Sequence, residues 1–289
     1  MARGSAAGWR LHGWRRALAP GGTELVVTPA TACGELAMTG EVLARTPARR
    51  PAPAMAGLRT AAVTDLIFAG EAVPPGHLLP RARGGREPAD AVCGVTGIVL
   101  PGAAVGILDT GLRATLRHVQ QRRLYGRTAA ELPMVRATLA EAYADLLLCD
   151  ALVRAALHAA SPGGHAPAVR RLVPRVLLAA MNRLSTVLGT YFYVRDGHVS
   201  VFQKLLRDLQ AAFTLLPPAA REDSALVAAA AAQAGDPLLA AALPLRHQRR
   251  RLPGELREAL HRDLLGHHDA DRTLDLTHRT RGAHDPEPA

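Results

Sequence analysis

Hydrophobic positions along this chain change period once, and the change divides it in two. From about Trp9 to Pro80 the apolar residues alternate or fall in short β-rich runs. Trp9-Arg10-Leu11-His12-Gly13 alternates, and Thr23 to Val27 is a short β-rich run expected to end before Pro29. Thr60 to Val73 is the clearest strand, closed by Pro74-Pro75-Gly76. Between them Thr46 to Pro53, rich in Pro and Arg, reads as an exposed loop, and the charged Gly/Arg/Pro stretch Pro80 to Ala89 marks a domain boundary.

Beyond that boundary the period becomes helical. A first helix is expected over Val95 to Leu124, with Pro101-Gly102 as a possible kink, and a second over Leu132 to Ala159. In the second, Val135, Leu139, Tyr143, Leu146, Leu147, Val153 and Leu157 recur at three- and four-residue steps. Pro167 is placed to open a third helix that Pro174 either kinks or delays. A fourth is expected over Val199 to Leu216, stopping at Pro217-Pro218. Short connections between four long helices imply an antiparallel bundle. Asp223 to Ala234 and Pro253 to Leu265 predict two further helices, and the polar tail from His267 is expected to fray. The fold class is therefore α+β, mainly α: a partial β-barrel or sandwich followed by a four-helix bundle with extra C-terminal helices.

Composition narrows the chemistry by exclusion. The 289 residues carry a net charge of +10, but Lys204 is the only lysine and the excess is arginine amid abundant Ala, Gly and Pro. High-G+C coding produces that pattern without selection for a basic surface. No basic helix, stacking platform or zinc spacing accompanies the charge, so nucleic acid is not the expected partner. Cys33, Cys93 and Cys149 are odd in number and far apart, which fits reduced thiols in a cytoplasmic protein. His261, His267 and His268 lack metal-ligand spacing, and no metal is expected. The residues to Arg16 are Arg-rich and acid-free, loosely like a transit peptide, without a secretory apolar run. The longest apolar stretch, Gly94 to Leu108, is too short and too broken by Gly and Pro to span a bilayer, so no membrane association is expected.

One segment carries a specific signal. Arg122-Arg123-Leu124-Tyr125-Gly126-Arg127, between the first two bundle helices, resembles the Arg-x-x-aromatic-Gly signature of acyl-CoA dehydrogenases. Other pieces fall in the same order. Gly57-Leu58-Arg59-Thr60 through Val73-Pro74 resembles the end of that family's middle β domain, and Gly106-Ile107-Leu108-Asp109 resembles the start of its first bundle helix. Arg136, Leu139, Ala140 and Glu141 match its second helix, Leu188-Gly189 its Leu-Gly-Gly, and Arg207-Asp208 its Arg-Asp on the fourth helix. The match covers about residues 9 to 216. It divides the chain into a partial middle β domain over 1–80, a linker over 81–91, the bundle over 92–216 and a helical extension over 217–289.

The resemblance implies an oxidoreductase that uses FAD for α,β-dehydrogenation of an acyl-CoA thioester, in a homo- or hetero-oligomer built through the bundle. It implies that Arg122 meets the diphosphate of a neighbouring subunit's FAD, a contact suited to a planar, charge-assisted donor. Tyr125 would pack nearby, Gly126 would allow a close turn, and Gly189 would admit the cofactor by lacking a Cβ. A solvated arginine in an interhelical loop is the plainer alternative. The family's second glycine is Thr190 here, followed by Tyr191, Phe192 and Tyr193, which could equally pack as helix-end aromatics.

The reaction needs a carboxylate base at the α-carbon. The family's two usual positions fall near Leu216 and near Thr96, and neither residue can act as a base. Glu222 is off register, and it reads better as an exposed acid in the first turn of the next helix. No catalytic residue is therefore assigned. The family's N-terminal helical domain is also expected to lie outside this chain. Two alternatives stand beside the enzyme: a truncated or inactive subunit of a heteromeric dehydrogenase, and a basic helical interaction module without flavin.

Overall fold

A computed structural model describes residues 2–5, 8–18, 25–32, 35–42, 48–51, 56–58, 63–73, 88–159, 162–214, 224–248 and 250–269. Two compact units result, residues 1–94 and 95–289. The architecture is α+β and mainly α.

In the first unit, β1 (Ala2–Ser5), β2 (Gly8–Leu18), β6 (Val63–Val73) and β5 (Ala48–Pro51) form an antiparallel sheet in the order β1-β2-β6-β5. The β2–β6 ladder runs from Trp9↔Val73 to Leu18↔Val63 and slips by one residue between Leu11 and His12. The extra residue is Gly70, whose φ of +100° a residue with a Cβ rarely adopts, and Arg10 Nη1 donates to its carbonyl at 3.0 Å. Leu11, Leu66 and Phe68 are buried. β3 (Leu25–Ala32) and β4 (Glu35–Val42) pair separately as a hairpin.

Two expectations for this unit change. The strand expected to end before Pro29 continues to Ala32, because in a two-stranded ribbon one backbone edge has no ladder bonds for proline to break. The loop expected over Thr46 to Pro53 contains the edge strand β5, whose terminal Pro51 pairs opposite Thr64. Pro at a strand end on a sheet edge removes no interior bond.

The second unit is helical. It comprises α1 (Pro88–Gln121) from Val95 onward, α2 (Pro133–His158), α3 (Pro162–Leu188), α4 (Ser200–Thr214), α5 (Ser224–Gln233), α6 (Pro237–His247) and α7 (Gly254–Asp269). α1 starts seven residues before Val95 and stops three short of Leu124, so residues 88–91, expected as linker, form its first turn. α3 starts at Pro162 and continues through both Pro167 and Pro174. α6 has no counterpart among the expected elements. Its start is fixed by Asp236, whose carboxylate accepts from Leu238 N at 2.8 Å and Leu239 N at 3.4 Å ahead of Pro237. α7 carries the helix past His267, the expected start of the tail, to Asp269.

α2 is the hub. It is buried continuously from Ala142 to Cys149, Asp145 included, and it packs against α3, α5, α6 and α7. The C-terminal helices thus share one hydrophobic core with the bundle. Two contacts tie α7 down: Tyr143 Oη donates to Asp263 Oδ2 at 2.8 Å, and Arg136 pairs with Glu258. α1 approaches the others through glycine. A Cβ at Gly102 would lie 3.1 Å from Val153 of α2, and one at Gly111 would lie 2.7 Å from Met181 Sδ of α3.

The α1 segment Gly94–Gln121 is long and apolar enough to cross a membrane, with a mean hydropathy of 1.6. This corrects the expectation drawn from Gly94 to Leu108, since the helix runs on through Leu112, Leu116 and Val119. Those residues, with Ile98 and Leu108, are buried in the core, and burial there asks for the same apolar composition as a membrane span.

Candidate functional site

α1 ends at Gln121, and the chain then forms a minimal hairpin from β7 (Arg123–Leu124) and β8 (Arg127–Thr128). Tyr125 and Gly126 make its two-residue turn with φ of +53° and +79°. Positive φ at both central positions matches the right-handed twist of a tight hairpin and accounts for glycine at the second. The exit is fixed by Glu131, whose carboxylate accepts from Thr128 N at 3.1 Å and Thr128 Oγ1 at 2.8 Å. Those bonds hold the Glu131 carboxyl below its usual range, with Arg127 and Arg123 adding to the effect.

Arg122 stands at the base of this hairpin. Its backbone N–H closes the last turn of α1 onto His118 O at 3.0 Å, and its carbonyl accepts from Ala129 N at 2.7 Å. The backbone is anchored on both sides, so the side chain leaves a fixed point. The guanidinium lies over the Tyr191 ring, 5.5 Å from its centroid, and within cation–π range. It makes no ion pair among the described residues.

Gly189 opens the 3-10 turn Gly189–Tyr193 after α3, with φ of +58°. A Cβ built there would sit 3.9 Å from Arg122 Nη1. The structure therefore brings Arg122 and Gly189 to one corner, while Tyr125 (91% exposed) and Gly126 form the projecting tip, with open space around Gly126. Tyr125 makes no packing contact with that corner within the chain.

The three aromatics after Thr190 divide their work. Phe192 packs edge-on to Phe202, with ring centroids 6.0 Å apart, and its carbonyl accepts from Gln203. Tyr193 is exposed. Tyr191 turns to the arginine corner, 4.6 Å from the His118 ring, which in turn lies 6.1 Å from His198.

His118 was not singled out from the sequence. It sits one helical turn before Arg122 and so on the same face, a spacing that could have flagged it. It is 5% exposed, and its Nε2 has no hydrogen-bond partner among the described residues. Burial pushes its pKa below the ordinary histidine value, and Arg122 and His198 push the same way. The imidazole is therefore neutral at pH 7, and Arg122 is the fixed cation of the cluster. Among the described residues the corner brings together a cation, two imidazoles and a phenol, and no carboxylate. It can bind an anion beside an aromatic surface.

Of the candidate base positions, only Thr96 is among the described residues. Thr96 is an exposed residue of α1. Leu216 and Glu222 lie outside the described residues. On α4, Arg207 is exposed and Asp208 pairs with Lys204. Cys149 is a buried free thiol whose pKa is pushed well up by burial and by Asp145 and Asp150, which makes it unreactive. Cys33 and the Cys93 side chain lie outside the described residues. No group of three or more metal-ligating side chains occurs among the described residues.

A second polar cluster lay unnoticed in the middle of α2. Asp145 interrupts the run Ala142 to Cys149 and is almost fully buried. It accepts from Arg246 Nε at 2.7 Å and Nη2 at 2.9 Å, and also pairs with Arg183. Glu141 lies 3.5 Å from Arg246. These bonds outweigh burial and raise the Arg246 pKa, so the guanidinium stays charged. A carboxylate inside an otherwise apolar helix stretch was the available signal.

Residues 95–214 match the family described as acyl-CoA dehydrogenase, C-terminal domain. No curated protein matches the chain by sequence. Among solved structures, the butyryl-CoA dehydrogenase of Megasphaera elsdenii is similar with a TM-score of 0.64 at 15% identity, over 80% of this chain and 62% of that one. A glutaryl-CoA dehydrogenase of Mycobacterium smegmatis in complex with FADH2 gives 0.63 at 13%, over 87% and 61%. Nitroalkane oxidase crystallised with 1-nitrooctane gives 0.65 at 16%, over 75% and 58%. The chain thus spans about three fifths of the length of these structures, and the likeness establishes a shared fold.

Proposed function

We propose, from the premise that residues 95–214 are a C-terminal domain of the acyl-CoA dehydrogenase family, that this chain is an acyl-CoA dehydrogenase-like flavoprotein whose Arg122–Gly189 corner receives the diphosphate of FAD. The observation that carries the proposal is the convergence of those two residues. A fixed guanidinium without an ion-pair partner among the described residues faces a glycine whose missing Cβ leaves the approach open. An anion with an adjoining ring system fits this corner better than solvent does. The guanidinium would donate to diphosphate oxygens, and the exposed Tyr125 at the hairpin tip would lie against a neighbouring subunit.

When bound, FAD supplies the hydride acceptor for oxidation of a CH–CH bond next to an acyl thioester. The residues of this chain contribute orientation and charge at the diphosphate end. Neutral His118 keeps the corner from gaining a second cation, and Tyr191 holds the guanidinium plane. The acyl-CoA substrate, the oligomer and a cytoplasmic location belong to the same proposal.

A second reading is favoured by Thr96, which has no basic group at one family position for the base. In that reading the chain is a non-catalytic subunit that lends Arg122 to the flavin of a partner chain. The two part on colour. Protein purified alone and yellow, with flavin absorbance, supports the enzyme; flavin retained only after co-expression with a neighbouring gene's product supports the subunit. Arg122→Ala should lower flavin retention at least tenfold in whichever assembly holds it. Unchanged retention in the variant would sink both.

A further inference from the structure

Apart from the Arg122 corner, the helical unit holds a groove of about 400 Å³ between α2, α3 and the C-terminal end of α6. That volume is within the range of small-molecule sites, about 300–1,000 Å³. Its floor is aliphatic, with Leu148 and Leu152 from α2 and Leu172, Val176 and Ala179 from α3.

Its charged lining is unbalanced. Among the described lining residues, the three cations Arg183, Arg246 and Arg251 stand beside the two carboxylates Glu141 and Asp145, and Arg175 and His247 complete the wall. Both carboxylates are already engaged, Asp145 by Arg246 and Arg183 and Glu141 by Arg246. Arg251 is exposed and has no ion pair among the described residues. Arg183 spends one terminal nitrogen on Asp145 and keeps 33% of its side chain exposed.

We infer that this groove binds a small amphipathic anion, with Arg183 and Arg251 taking a carboxylate or phosphate head and the aliphatic floor taking an apolar tail. The guanidinium fork suits either planar head. An inorganic anion would leave the floor wet, and an uncharged lipid would leave the excess positive charge uncompensated beside it. An amphipathic anion answers both walls. None of the groove residues belongs to the Arg122 corner, so the inference stands independently of the flavin reading.

Calorimetric titration of the full chain tests it, with decanoate, decyl phosphate, decanol and inorganic phosphate as probes. Saturable binding of decanoate or decyl phosphate at one site per chain is expected, with the tighter of the two naming the head. Decanol and inorganic phosphate should bind at least tenfold more weakly. Arg251→Gln should weaken the anion about tenfold, the loss of one charge-assisted hydrogen bond. Ala179→Trp, at an exposed position on the floor, should abolish binding with helicity and thermal midpoint unchanged. Decanol binding as tightly as decanoate, no binding of either anion, or full binding by the Ala179→Trp variant would each overturn the inference. So would a change of oligomeric state in that variant, which would make the groove a subunit contact.

Discussion

The guanidinium of Arg122 lies 5.5 Å from the centroid of the Tyr191 ring, although α2 and α3 intervene between them in sequence. One residue closes α1 and the other sits in the turn that closes α3. Two helix ends thus determine where the charge points before any ligand arrives. Such preorganisation lowers the ordering cost of binding.

Removing the ring should therefore weaken an anion that never touches it. Tyr191→Ala is expected to reduce flavin affinity about two- to fivefold, the equivalent of an exposed cation–π contact of roughly 0.5–1 kcal/mol. Tyr191→Phe should bind as the parent does. Flavin fluorescence titration of the assembled protein checks both, and equal loss in the two variants would count against the stacking role.

Acid should destabilise the helical unit before the carboxylates respond. His118 and His261 are both pushed below the ordinary histidine value of about 6.5, chiefly by burial. For His261, Arg136 pushes the same way and Glu258 opposes. Between the folded and unfolded values the unfolded chain binds protons that the folded chain does not. Stability is then complete above about pH 6.5 and falls as pH drops through that value. Asp109 and Asp150, raised by burial against their arginine partners, act with the opposite sign nearer the ordinary carboxylate range. Thermal midpoints between pH 7 and 5.5 should fall, and His261→Leu should flatten the slope. An unchanged slope would place the effect elsewhere.

Asp145→Asn should be among the most damaging single changes. It leaves Arg246, itself buried, without its bidentate partner, and breaking a buried pair typically costs about 3–5 kcal/mol. Denaturant unfolding should show a lower midpoint with an unaltered slope. A loss below about 1 kcal/mol would show that water reaches the pair, since exposed pairs contribute only that much.

Gly106→Ala should stabilise. Gly106 lies inside α1 and has nothing within 4 Å of an added Cβ. The gain in helix propensity is about 0.5–1 kcal/mol, readable as a rise in thermal midpoint. Gly126→Ala, equally uncrowded but at φ +79°, should cost about 1–2 kcal/mol.

Helical periodicity made α1 to α4 legible because each keeps one apolar face over several turns, as with Val135, Leu139 and Leu146 on α2. It failed at α6, which is only eleven residues long, carries Pro244, and begins from a Gly235-Asp236-Pro237 turn signal. Proline misled twice in the strands and once at Pro167, since its effect depends on whether the missing N–H had a partner. In the site, Arg122 and Gly189 were legible as separate motifs. Their meeting was not, because it depends on where α1 and α3 end relative to one another. His118 and Asp145 escaped notice for the same reason: a lone polar residue on an apolar helix shows its purpose only beside its partner.

α2 is enclosed by helices that come from both sides of Thr214 in the sequence. Thr214 is the last residue of the family match, but it is not a seam in the folded unit. A chimera joined there would carry Asp145 without Arg246 and Tyr143 without Asp263, and one flank of the central helix would face solvent. The piece that can be transplanted intact runs from α1 to Asp269, so a domain swap would have to move α5 to α7 along with the bundle.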